Sequence, residues 1–114
     1  MSRITTHVLD TARGEPARGL AVTLQRLDVD GLATTIGAQT TDDDGRARVL
    51  LPDGETLDVG RYRLLFEAGA YHRSHGVIAF FPLITVEFEV TDGERPYHVP
   101  LLLSPFGYST YRGS

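Results

Sequence analysis

An all-β fold, arranged as a two-sheet antiparallel β-sandwich of about eight short strands, is what the patterning of this chain implies. Apolar and polar residues alternate over stretches of roughly four to eight, the period of a half-buried strand. Clusters of Gly, Pro and Asp separate those stretches, as closely spaced turns require. Only residues 68–76 suit a helix, so helical content is low and the layers must be sheets.

Residues 4–9 form a first strand, with Ile4, Thr6 and Val8 on one face and Thr5, His7 and Leu9 on the other. Residues 10–19, holding Gly14, Pro16 and Gly19, are a connection. Alternation resumes over 20–27, and Asp28-Val29-Asp30-Gly31 reads as a hairpin turn. A third strand over 32–41 carries β-branched Thr34, Thr35, Ile36, Thr40 and Thr41. Asp42-Asp43-Asp44-Gly45 is the next turn, with Arg46 directly behind its glycine, and 47–51 is too short for anything but an edge strand. After a loop over 52–59, Gly60 frees the backbone, and strand five sets Tyr62, Leu64 and Phe66 against Arg61, Arg63 and Leu65. The short helix follows, with small residues and Tyr71-His72-Arg73-Ser74-His75. Within 80–90 a strand turns Val86, Phe88 and Val90 inward and Glu87 and Glu89 outward. A turn over 92–96 leads into a closing hairpin: 97–103, then Ser104-Pro105-Phe106-Gly107, then 108–112.

At 114 residues the chain is sized for a single domain, 1–114, able to bury roughly two thirds of its unfolded surface. The absence of cysteine removes a disulfide framework, a thiolate nucleophile and a Cys-based zinc site. A net charge of −4, a pI near 5.4 and the lack of a basic stripe argue against a nucleic-acid partner. Residues 1–8 lack the apolar core of a signal peptide, and the longest apolar run, 77–84, is interrupted by Pro82. The expectation is a soluble, cytoplasmic protein with no membrane association.

Thr40, Asp42, Asp44 and Gly45 fit the start of an EF-hand register, but position twelve is then Leu51, where calcium needs a bidentate Glu. His72 and His75 could ligate a metal from one helical face, yet nothing completes the set, and two solvated helix histidines are expected instead. No Gly-x-Ser-x-Gly elbow, P-loop or Gly-x-Gly-x-x-Gly occurs. A dispersed set is left: His7, Arg46, His98 and the Tyr111-Arg112-Gly113-Ser114 end. Imidazole titrates near neutrality and can take a proton from water, while a guanidinium stays charged and can hold an oxyanion. Singly, each histidine has a structural explanation too, and Tyr111 could simply cover the core while Arg112 sits in water.

The blocks at 4–20, containing Thr-His-Val-Leu-Asp, and 97–114, containing Tyr-His-Val-Pro and the terminal Tyr-Arg-Gly-Ser, resemble the two signature blocks of the 5-hydroxyisourate hydrolases. These are the transthyretin-related enzymes of purine catabolism. Similarity also runs through 41–46 and 60–64, so it covers nearly the whole chain. The resemblance implies a transthyretin-like sandwich of eight strands with a short helix after strand five. It further implies a homotetramer with its sites at the dimer–dimer interface.

By the same resemblance, the catalytic residues are His7, Arg46, His98 and Ser114, and His7, Arg46, Tyr111, Arg112 and Gly113 contact the substrate. The implied activity is that of a cyclic amide hydrolase, which opens 5-hydroxyisourate to 2-oxo-4-hydroxy-4-carboxy-5-ureidoimidazoline in urate degradation without metal or cofactor. Two rival readings are a non-catalytic small-molecule carrier of the same fold and a β-sandwich interaction module.

Overall fold

The protein is described by a computed structural model covering residues 3–113. In chain order its elements are β1 (Ile4–Asp10), β2 (Glu15–Pro16), β3 (Ala21–Leu27), β4 (Ala33–Thr40) and β5 (Arg46–Ala47). There follow β6 (Gly60–Phe66), α1 (Ala68–Ser74), β7 (Ile84–Val90), β8 (Tyr97–His98), β9 (Leu101–Ser104) and β10 (Gly107–Thr110). Two sheets result. The first is centred on β1, which takes β2 and β5 antiparallel on one side and β8 and β9 in parallel on the other, with β10 beyond β9. The second runs β4-β3-β6-β7, entirely antiparallel.

The inward faces are those that alternation implies. Ile4 and Val8 of β1, Val22 and Leu24 of β3, Tyr62, Leu64 and Phe66 of β6, and Leu101 and Leu103 of β9 are all buried in one cluster. Each fully buried aliphatic or aromatic side chain of this kind contributes about 1.5–3 kcal/mol, so the period-2 pattern sets the register on both sheets.

Four features differ from expectation. The first sheet is mixed, because β8 and β9 run parallel to β1. The strand expected over 97–103 is split into β8 and β9, since Pro100 has no N–H to offer a ladder. The connection over 10–19 contains β2, whose two residues pair with the end of β1. The edge strand expected over 47–51 shrinks to Arg46–Ala47, after which Leu50 and Leu51 turn into the core.

The helix follows the second sheet but is strapped to the first. Tyr71 is buried and donates its hydroxyl to Asp10 Oδ2 at 2.8 Å, while Asp10 Oδ1 accepts from the N–H groups of Ala12 and Arg13 at 3.1 Å. Burial, then the Asp10 hydrogen bond, then its charge push the Tyr71 phenol well above its ordinary pKa.

Candidate active site

Register alone assembles most of the site. Thr5, His7 and Leu9 occupy the outward face of β1, opposite buried Ile4, Thr6 and Val8. Across the antiparallel pair His7 faces Arg46, and across the parallel pair Thr5 faces His98. Directly opposed residues share a face, so His7, Arg46 and His98 stand together on the outside of the first sheet. All three are partly exposed. Their closeness is also electrostatic, as both Arg46 and His7 disfavour a positive charge on His98.

Arg46 is placed by the turn before it. Asp42 Oδ1 accepts from the N–H groups of Asp44 at 2.9 Å and Arg46 at 3.0 Å, and Asp42 Oδ2 takes a guanidinium N–H of Arg48 at 3.1 Å. The Arg46 N–H bond is the main reason the Asp42 carboxyl is held below its ordinary pKa. Asp42 is thus the cap of a tight turn. Gly45 completes it with φ +77° at a point where a Cβ would come within 2.5 Å of the Val8 carbonyl oxygen.

His98 is held on two sides. Its Nδ1 lies 2.7 Å from Thr5 Oγ1, and its carbonyl accepts the Gly113 N–H at 2.8 Å. The segment after β10 thereby resumes antiparallel pairing with β8. Burial, followed by the charges of Arg46 and His7, lowers the His98 pKa from 6.5. The imidazole is therefore kept neutral and available to accept a proton.

The remaining expected residues are placed differently. Arg112 stacks its guanidinium over the Tyr97 ring, 4.6 Å from the centroid. With the half-exposed Tyr111 it lines a cleft of about 190 Å³ that His98 and Tyr97 share with Glu87 and Glu89 of β7. His7 and Arg46 do not line that cleft. Ser114 lies outside the described residues. Thr5 was not singled out by sequence reasoning, and the only signal for it was its place on the His7 face. The two helix histidines also differ from expectation. His75 is exposed, but His72 is only 2% exposed, and its Nε2 has no hydrogen-bond partner among the described residues.

Fold and site together define a transthyretin-like β-sandwich whose mixed sheet carries two imidazoles and a guanidinium on its outer face. Over residues 4–113 the chain matches the model of the HIUase/Transthyretin family, and it belongs to that family. It is 48% identical to the 5-hydroxyisourate hydrolase of Ralstonia nicotianae, covering 100% of both chains. It is 50% identical to 5-hydroxyisourate hydrolase 2 of Rhizobium meliloti, covering 98% of this chain and 96% of that one. Among solved structures, it resembles Klebsiella pneumoniae 5-hydroxyisourate hydrolase with a TM-score of 0.85 at 34% identity, covering 99% of this chain and 100% of that one. Sea bream transthyretin, solved in complex with thyroxine, gives 0.90 at 31% identity, covering 98% and 95%.

Proposed function

We propose that this chain hydrolyses 5-hydroxyisourate to 2-oxo-4-hydroxy-4-carboxy-5-ureidoimidazoline in urate degradation. The observation that carries the reading is the convergence of His7, Arg46 and His98 on one sheet face. Full-length relatives named for that activity support it. The fold by itself does not choose between enzyme and carrier, because it is shared with a thyroxine-bound transthyretin.

Ring opening breaks the bond between C6 and its ring nitrogen. Water adds to C6 and loses a proton, and the departing nitrogen gains one, so a group that accepts and returns a proton balances the reaction. In this reading His98 is that group, since its surroundings favour the neutral imidazole. His7, the second imidazole of the pair, relays the proton that His98 took from water to the departing nitrogen. The Arg46 guanidinium binds the C6 oxygen as negative charge develops there. Tyr111, Arg112 and Gly113 border the substrate, and Ser114 joins the set through the terminal motif alone.

The reading extends to a single domain over 1–114 and to a cytoplasmic homotetramer with its sites between subunit pairs. Assembly is supported by the free edges of β7 and β10 and by exposed Phe80, Phe106 and Tyr108 beside them. No helix among the described residues is long and apolar enough to cross a membrane.

The test is to add the protein to freshly oxidised urate and follow the intermediate's absorbance. Acceleration over buffer is expected, and folded protein that gives none rejects the activity. A monomeric mass at concentrations where activity persists would reject the shared site.

A further inference from the structure

We infer that Thr5 and Gly113 are positioning residues that hold the His98 imidazole in one orientation. The catalytic consequence rests on the hydrolase reading, whereas the geometry does not.

A neutral imidazole carries one N–H, on either Nδ1 or Nε2, and the two forms are close in energy unless a partner distinguishes them. Thr5 supplies a hydroxyl that can serve either form at Nδ1 and so fixes which way the ring faces. Its Oγ1 is 2.7 Å from Nδ1, a short hydrogen bond, and the parallel β1–β8 register sets the two residues directly opposite each other. Whichever way the hydroxyl points, Nδ1 is engaged and the ring is held with that edge toward β1.

The other edge of the ring is held by an absence of side chain. A Cβ at position 113 would lie 2.5 Å from His98 Cδ2, 3.2 Å from Cγ and 3.3 Å from Pro100 Cγ. Gly113 is not among the glycines with positive φ, so its backbone does not require glycine. What the missing Cβ serves is the space occupied by the imidazole. The Gly113 N–H bond to the His98 carbonyl fixes the main chain against that edge. A half-turn of the ring about its Cβ–Cγ bond would put carbon opposite Thr5 and lose the hydroxyl bond, so Thr5 selects between the two flips while Gly113 leaves room for the plane of the ring.

These contacts give Gly113 a role beyond bordering the substrate. Its effect passes through His98, and one strand, β1, both carries the His7 imidazole and supports the His98 imidazole through Thr5.

The experiment compares Thr5→Val, Thr5→Ser and Gly113→Ala with the parent protein by ¹⁵N NMR of the His98 ring above its titration, and by steady-state hydrolysis of 5-hydroxyisourate. The parent should show one set of His98 ring resonances, with Nδ1 shifted by its hydrogen bond. Thr5→Val, close in shape but lacking the hydroxyl, should lose that Nδ1 shift and lower kcat roughly 3- to 10-fold with KM little changed, the scale of one lost hydrogen bond. Thr5→Ser should restore both. Gly113→Ala should move the His98 ring resonances and lower kcat while the fold stays intact by circular dichroism. A Thr5→Val spectrum identical to the parent's, or Thr5→Ser behaving like Thr5→Val, overturns the role of Thr5. Unchanged resonances and kcat in Gly113→Ala overturn the role of Gly113. Should the parent prove inactive while the ring spectra respond as described, the clamp stands and the hydrolase reading alone falls.

Discussion

His98 feels burial first and the charges of Arg46 and His7 second, and all three favour the uncharged ring. Its folded pKa is depressed, so it remains a competent base to lower pH than a free histidine. The acidic limb of kcat/KM should therefore lie below the ordinary 6.5. The same shift governs stability. Between the folded and unfolded pKa values the unfolded chain binds the extra proton. The contribution of His98 to stability is thus complete above 6.5 and lost as pH falls through the folded pKa. Urea unfolding across that window should show the loss in the parent and not in His98→Asn. In the absorbance assay, His98→Asn should slow hydrolysis by about 10²–10⁴-fold. Arg46→Ala should cost about 10²–10³-fold, with both variants folded by circular dichroism. His7, Arg46 and His98 were legible in the sequence because the chain has only four histidines and because all three residues sit in recognisable motifs. Thr5 was not, because a threonine in a strand is unremarkable until its partner across the sheet is known. His72 was misjudged for a related reason: a seven-residue helix shows too little periodicity to tell its buried side from its wet one.

Short elements here are defined by what caps them. The turn before β5 depends on Asp42 accepting two backbone N–H groups and on the left-handed backbone of Gly45. Its position could be read from the Asp-Asp-Asp-Gly-Arg spelling. The length of β5 could not, because the apolar residues behind it serve the core instead of a ladder. Gly45→Ala should lower stability by at least about 1–2 kcal/mol from backbone strain alone, read as a shift in the urea midpoint. The strap between α1 and β1 makes a second case. Tyr71→Phe removes the hydroxyl that donates to Asp10 Oδ2. Denaturant titration should register a loss of about 1–3 kcal/mol, the cost of leaving a buried acceptor unmatched. Asp10 closed the first motif in the sequence, but nothing local revealed that its partner lay 61 positions away.

For the molecule as a whole, alternation identified the two layers and the inward faces correctly, because burial follows the period-2 pattern whichever way neighbouring strands run. Direction is another matter. Parallel and antiparallel neighbours share that period, so the pairing of β1 with β8 and β9 left no trace in the pattern. The core cluster draws on both sheets and on α1, which implies a single cooperative unit. Thermal melts followed by far- and near-UV circular dichroism should therefore coincide for the isolated chain. The parallel union of β1 with β8 also has a temporal consequence. A polypeptide synthesised only as far as β7 holds His7 and Arg46 but neither His98 nor the Gly113 that lies against its ring. On the proposed reading such a fragment has no activity until β8 is made and paired with β1.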